Sequence, residues 1–338
     1  MKSQKAILLL NTGTPEAPDV RNVRKFLSQF LNDKRVIDLP WLFRKILVNL
    51  IIVPFRAHSS SKRYKRLWTD RGSPLHYYGI SLQEKLGRKL GEDYIVRFAV
   101  NYGKPSIEDT ISEICSFQPE SITVFPLFPQ YASSTTGSVI EKCHRSLEGR
   151  INAPLFTAIT EYYNHPDYIN ALSVCVSENE PSGFDHIVIS YHGLPLRQVN
   201  KTHNGKSCTE HDCTAALTKE NASCYQAMCY ETSRQLASKL NFAPEFYSVC
   251  FQSRISKNWL SPFTDEILIS LAKKGKKSIM VVCPSFTADC LETIVEVGDE
   301  YRDLFLANGG EKFVLVPALN DREIWVDTIQ TILSGSGY

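Results

Sequence analysis

No stretch of this chain reaches the roughly 20 consecutive apolar residues that a helix needs to cross a bilayer. The nearest approach, 46–48 with 50–53, is interrupted by Asn49, preceded by Arg44 and Lys45, and closed by Pro54, so it cannot span. A signal peptide is also lacking: residues 1–5 lead into the apolar run 6–10, which has strand length and no cleavage pattern. A cytoplasmic protein is expected. No G-x-G-x-x-G follows a strand, no G-x-x-x-x-G-K-[ST] occurs, and Gly335-Ser336-Gly337 has neither a strand before it nor a helix after it, which argues against a dinucleotide or ATP enzyme. The formal net charge of +2 is too small to draw the whole molecule to nucleic acid, and no nucleic-acid partner is expected. Disulfides are not expected from the ten cysteines, because the cytosol keeps thiols reduced; core packing, metal ligation or reactivity are the alternatives.

What is present is ordinary for a globular enzyme: 43% hydrophobic residues, 22% charged residues and 17 prolines, over 338 residues. That length suits two lobes of about 150 residues each. Charge is concentrated in one place. Between Trp41 and Arg71 eight Lys/Arg residues stand against the single acid Asp70, and the same run holds the apolar stretch described above.

Short β-branched runs alternate with stretches of helical period, as in βαβ units around parallel sheets. Strands are predicted at 6–10, 95–100, 121–125, 186–191, 246–250, 278–282 and 312–316. Helices are predicted at 20–31, 80–91, 106–116, 138–146, 167–177, 223–239, 264–274, 288–306 and 322–333. The chain also repeats itself. Residues 7–15 lie over 187–195 without a gap, each an apolar strand running into x-Gly-x-Pro; 98–102 then lie over 247–251 and 124–128 over 282–286, in the same order. Three ordered matches predict two similar sheets. In open α/β sheets ligands bind beyond the carboxyl ends of the strands. If those edges face each other they form a cleft, with Thr12, Tyr102 and Phe128 on one wall and His192, Phe251 and Phe286 on the other.

Three constellations carry chemistry. After Pro284-Ser285-Phe286, Glu292, Glu296 and Glu300 recur at i, i+4, i+8 of a predicted helix, with Asp289 one turn earlier on the same stripe. Like charges at that spacing are mildly destabilising, and a helix N-terminus compensates only within its first turn. A file of carboxylates pointing into a cleft would lead a divalent cation inward or protons outward; a solvated acidic face is the plainer alternative. His192 stands at the carboxyl end of a predicted strand, where an imidazole is the natural proton acceptor at neutral pH, unless it is simply structural. Cys208, Cys213, Cys224 and Cys229 form C-x4-C-x10-C-x4-C in a polar stretch. The x4 gaps suit an iron–sulfur loop better than the x2 gaps common in zinc sites, while His203 and His211 keep zinc open and chance clustering is the third possibility.

At these residues the sequence resembles the ferrochelatases over nearly its whole length. Leu9-Leu10-Asn11-Thr12-Gly13-Thr14-Pro15 is similar to the family's opening L-L-N-x-G-x-P. In order there follow Phe26-Leu27 and Phe30-Leu31 through Val36-Ile37-Asp38-Leu39-Pro40, then Gly72-Ser73-Pro74-Leu75, Phe128-Pro129-Gln130-Tyr131 and Ser134-Thr135-Thr136-Gly137. Ser190-Tyr191-His192-Gly193, Phe251-Gln252-Ser253-Arg254, and Pro284 with Phe286, Asp289 and Leu291-Glu292-Thr293 complete the set. The order of the blocks makes the resemblance specific.

The resemblance implies an α/β fold of two similar Rossmann-like lobes, 1–160 and 161–317, with a cleft between them and a C-terminal helix, 318–338, packing back on the first lobe. It implies a lyase-class chelatase that inserts Fe2+ into a porphyrin, protoporphyrin IX rather than coproporphyrin, with release of two protons. His192 and Glu292 would be the catalytic pair, and His192, Glu292, Glu296, Glu300 and Asp289 the metal-handling set. Thr12, Arg56, Ser73, Tyr102 and Phe286 would contact the porphyrin, Arg56 through a propionate. The segment 41–66 would be an apolar lip able to rest on the inner membrane surface. The insertion 200–230 resembles those that hold a [2Fe–2S] cluster in some bacterial members, through Cys208, Cys213, Cys224 and Cys229. Two departures stand out: many relatives carry Arg where Asn101 stands, and many lack the four-cysteine insertion. A non-catalytic tetrapyrrole carrier and a chelatase for another divalent metal such as cobalt are the rival readings, since imidazole and carboxylate follow a general divalent affinity order.

Overall fold

The computed structural model describes residues 4–335. Two four-stranded, all-parallel sheets organise the chain. The first contains β1 (Lys5–Gly13), β2 (Tyr94–Tyr102), β3 (Ser121–Pro126) and β4 (Leu155–Ala158) in the order β2-β1-β3-β4. The second contains β5 (His186–His192), β6 (Tyr247–Gln252), β7 (Ser278–Val282) and β8 (Lys312–Leu315) in the order β6-β5-β7-β8. Matching β1 to β5, β2 to β6 and β3 to β7 makes the two orders the same, which is the correspondence that the three internal sequence matches require.

Each sheet carries its own core. The run 6–10 sits in the centre of the first sheet, with every side chain at most 3% exposed, and its Ala6, Leu8 and Leu10 pack with Ile107, Ile111 and Ile114 from the helix Ile107–Ser116. That helix begins where Ser106 caps the amide of Asp109, and its buried residues recur at helical spacing. Val188, Ile279 and Val281 play the same part in the second sheet, against Leu268 and Phe305. Burying a Leu or Ile side chain stabilises by about 1.5–3 kcal/mol, so these central strands dominate each unit. One compact unit comprises the chain up to Phe128, Ala132–Thr160 and Asp321–Val326; the other comprises Pro129–Tyr131, Glu161–Asn320 and the chain from Asp327.

Three differences from the sequence expectation have physical causes. β4 was not expected: it is four residues long at the edge of its sheet, Leu155 is exposed, and only pairing with β3 defines it. The basic, apolar segment is helical throughout, as the helix Trp41–Ile46, a π-helical turn Leu47–Ile52 and the helix Val53–Leu67, with Pro54 in the first turn of the last. Its apolar side chains are not all turned inward: Trp41, Phe43, Leu50 and Phe55 are 65–80% exposed. Third, the predicted helix 288–306 is an eleven-residue π-helix, Leu291–Tyr301, continued by the α-helix Arg302–Ala307.

Candidate active site and cysteine cluster

The second sheet places His192 at the last position of β5, opposite Gln252 at the end of β6. The imidazole is half-buried and lies edge-on to Phe286, ring centroids 6.3 Å apart. Its Nδ1 lies 2.7 Å from the Gly193 carbonyl oxygen. A carbonyl can only accept, so Nδ1 carries a proton, and in the neutral ring the lone pair lies on Nε2. The backbone around it is fixed from two sides: Ser285 Oγ accepts from the His192 amide at 3.3 Å, and the Tyr225 hydroxyl donates to the His192 carbonyl at 2.9 Å.

Gln252 ties this strand tip to the glutamates. It is fully buried; its Oε1 accepts from Ser190 Oγ at 2.9 Å, and its Nε2 donates to the Glu292 backbone carbonyl at 3.1 Å. One amide thus bridges the strand bearing His192 and the first turn of the helix bearing Glu292. π-Helical segments bond i to i+5, are rare, and cluster at functional sites. Residues four apart stay on one face of so wide a turn, so Glu292, Glu296 and Glu300 remain in file. Glu296 is the buried member, 9% exposed, with Oε2 accepting from Ser253 Oγ at 2.7 Å and Oε1 from the Tyr301 hydroxyl at 3.1 Å. Burial, then the neighbouring Glu296 charge, pushes the Tyr301 phenol well above its ordinary range, so it remains a donor. Ser253 holds its hydroxyl there from a left-handed backbone, φ 64°, a conformation that non-glycine residues rarely adopt away from constrained sites. Glu292 and Glu300 are half-buried.

Asp289 does not continue the file. It precedes the helix, and its carboxylate accepts from Asn320 Nδ2 at 2.7 Å, Thr293 Oγ1 at 3.1 Å and the Ala318 amide at 3.3 Å. It anchors the loop that launches the helix. Phe251 likewise does not face outward: it is 1% exposed, its ring against Tyr191 and Tyr230.

In the first unit, Thr12 lies near the end of β1, half-buried, with its amide donating to Asn11 Oδ1 at 2.7 Å. Tyr102 ends β2 and is 5% exposed, its hydroxyl bonded to Asp33 Oδ2 at 2.8 Å; Asp33 also accepts from Ser138. Asn101, beside it, is buried and donates to Ser138 Oγ at 2.9 Å. Ser73, the residue before the helix Pro74–Leu90, is buried as well. Arg56 is exposed on the helix Val53–Leu67.

The cysteine-rich segment brings three of the four expected cysteines together with His203. His203, Cys208, Cys213 and Cys224 are all buried, and their ligand atoms lie within 4.8 Å of one another. Cys208 Sγ is 3.5 Å from Cys224 Sγ and 3.4 Å from His203 Nε2, which is 3.6 Å from Cys213 Sγ. Cys229 stands apart, fully buried on the helix Tyr225–Lys239, beside the Tyr225 side chain. His203, Cys208, Cys213 and Cys224 could hold a metal ion, and Cys229 follows Cys224 by five residues.

The roles of Gln252, Ser253, Tyr301 and Tyr225 were missed in the sequence because each acts through a contact across 5 to 43 positions with no local pattern. His203 did leave a trace, since H-x4-C-x4-C continues the x4 spacing one step upstream.

The ferrochelatase family model matches residues 4–336. The chain belongs to the ferrochelatase family. It is accordingly an enzyme, a lyase-class metal chelatase that inserts Fe2+ into a porphyrin to form haem, with porphyrin and ferrous iron as substrates. Among curated ferrochelatases, that of Legionella pneumophila (strain Lens) is 42% identical over 332 residues, covering 98% of this chain and 99% of the relative. That of Coxiella burnetii (strain Dugway 5J108-111) is 41% identical over 329 residues, covering 96% and 91%. Among solved structures, SirB from Bacillus subtilis with Fe3+ aligns with a TM-score of 0.55 at 12% identity, covering 98% of this chain and 94% of that one. That likeness bears on the fold alone, a two-lobe chelatase fold. Among the described residues no helix is long and apolar enough to cross a membrane.

Proposed function

We propose that this ferrochelatase acts on protoporphyrin IX, with His192 receiving the pyrrole protons and Glu292, Glu296 and Glu300 handling the incoming iron and the outgoing protons. Metallation requires two N–H protons to leave while the pyrrole lone pairs tilt out of the ring plane toward the metal. An enzyme complementary to the tilted macrocycle spends binding energy on that distortion. The observation that carries the reading is the His192 tautomer: Nδ1 committed to Gly193 leaves Nε2 as a base. Gln252 supports it further, because a single amide links that strand tip to the start of the glutamate file. Glu296, with each carboxylate oxygen held by a hydroxyl, suits a fixed relay point behind Glu292.

Thr12, Phe286 and Arg56 keep exposed surface and are proposed as porphyrin contacts, Arg56 toward a propionate. Tyr102 and Ser73 are buried, and we assign them the shaping of the surface beneath. A small Thr12 favours protoporphyrin, since relatives acting on coproporphyrin often carry Tyr there. His192→Ala and Glu292→Gln should each lower the rate of porphyrin metallation, followed as loss of fluorescence on anaerobic addition of ferrous iron, by at least ~10²-fold. Near-normal turnover in both variants removes the mechanism.

The exposed apolar helices 41–67, flanked by the cations Lys45, Arg56 and Lys62, are proposed to rest on an anionic membrane surface. Phe55→Glu with Leu50→Glu should weaken co-sedimentation with phosphatidylserine vesicles by about tenfold or more, given ~1.5–3 kcal/mol per large apolar side chain withdrawn from water. Unchanged sedimentation assigns the patch elsewhere.

A further inference from the structure

We propose that Arg254 is a positioning residue for metallation: it locks Ser253 into the backbone from which the Ser253 hydroxyl holds Glu296. The proposal deepens the reading of Glu296 as a relay point and rests on it.

Ser253 is the weak point of that contact. Its φ of 64° is a left-handed conformation that a residue with a side chain keeps only where its surroundings enforce it. From that backbone its Oγ donates to Glu296 Oε2 at 2.7 Å. An unrestrained serine would relax to negative φ and swing the hydroxyl away. The residue before it is already fixed, since the buried Gln252 side chain is bonded at both ends and its carbonyl accepts from the Gly193 amide at 2.8 Å. Fixing Gln252 alone leaves the far side of Ser253 free to turn.

Arg254 holds that side. Its Nη2 donates to Asp265 Oδ2 at 2.6 Å and its Nη1 to Glu266 Oε1 at 2.8 Å, while the guanidinium carbon lies 4.0 Å from the centre of the Phe263 ring. Phe263 is buried and directly precedes the helix Thr264–Lys273, whose first turn carries both acids. The Phe251 amide bonds to the Pro262 carbonyl at 2.9 Å, so both ends of the loop 253–262 meet at this clamp. Exposed ion pairs contribute little as a rule, because two mobile side chains must be ordered for a screened attraction. Here each acid takes its own nitrogen of one planar group stacked on a ring, and both acids sit at a helix N-terminus that already favours them. The path from the clamp to Glu296 runs through Ser253.

The test is a double-variant cycle read in turnover. Metallation at saturating porphyrin and ferrous iron should fall about tenfold in Arg254→Ala, as for the loss of one hydrogen bond to a charged group, with the porphyrin KM unchanged. Arg254→Lys keeps the charge but cannot fork to both acids, so its turnover should lie between those of the native protein and Arg254→Ala. Ser253→Ala should lose as much as Arg254→Ala, and Arg254→Ala should cost no further turnover per folded chain in the Ser253→Ala background. Native turnover in Arg254→Ala, full rescue by lysine, or equal losses with and without the Ser253 hydroxyl would each overturn the proposal. Should Arg254→Ala fail to fold, Arg254→Lys with and without Ser253→Ala makes the same comparison. Glu296→Gln separates the two claims, because its near-normal turnover removes the relay reading alone. The clamp is then decided by urea denaturation, in which the Arg254 and Ser253 substitutions should be non-additive; additive losses refute it.

Discussion

Replacing Gln252 by leucine isolates the link between the imidazole strand and the glutamate helix. Leucine has a similar size and is apolar, so the core stays filled while both ends of the amide are lost. Ser190 Oγ loses its acceptor at 2.9 Å but keeps Thr264 Oγ1 at 2.9 Å; the Glu292 carbonyl loses its donor at 3.1 Å. Two neutral hydrogen bonds contribute about 0.5–1.5 kcal/mol each, and a buried polar group left short of a partner costs about 1–3 kcal/mol. The expected loss is about 2–4 kcal/mol by urea denaturation. Because the tie fixes where the helix starts relative to His192, turnover at saturating porphyrin should fall more than the porphyrin KM rises. Gln252→Glu separates the two ends: it keeps the acceptor toward Ser190 and loses the donor toward Glu292, so its turnover should resemble that of the leucine variant. If the leucine variant loses less than about 0.5 kcal/mol and turns over normally, the bridge has no mechanical role and the argument fails.

Acid should weaken the fold before the carboxylates titrate. Burial, helped by the Lys276 and Lys274 charges, lowers the His186 imidazole from 6.5 to about 4. Its proton therefore binds more readily in the unfolded chain, so stability is full above about pH 6.5, falls as pH drops from 6.5 to about 4, and levels below; the total is about 3 kcal/mol. His186→Gln should flatten that segment of a urea-stability profile, and an unchanged slope refutes the assignment. Gly79→Ala should destabilise by about 1–3 kcal/mol in spite of its better helix propensity, because the added methyl would lie 2.3 Å from the Phe98 ring, itself 1% exposed. A rise in thermal midpoint would contradict it.

Sequence alone was enough for the strand framework, because strand segments such as 6–10 and 279–282 are buried on both faces and read as unbroken apolar runs. The ordered internal matches then foretold one sheet order used twice, and the family blocks foretold the chemistry. Spacing alone also put Glu292, Glu296 and Glu300 in file and His192 at a strand tip. What tertiary structure decided were the properties that depend on partners distant in the chain. The glutamate helix closes through i to i+5 bonds, which no residue period announces, and Asp289 is drawn out of the file by Asn320 and Ala318, 31 and 29 positions on. His203 meets Cys208 and Cys213, because a loop without secondary structure folds according to which side chains can meet. Local composition fixes what a segment prefers; only packing fixes whom it touches.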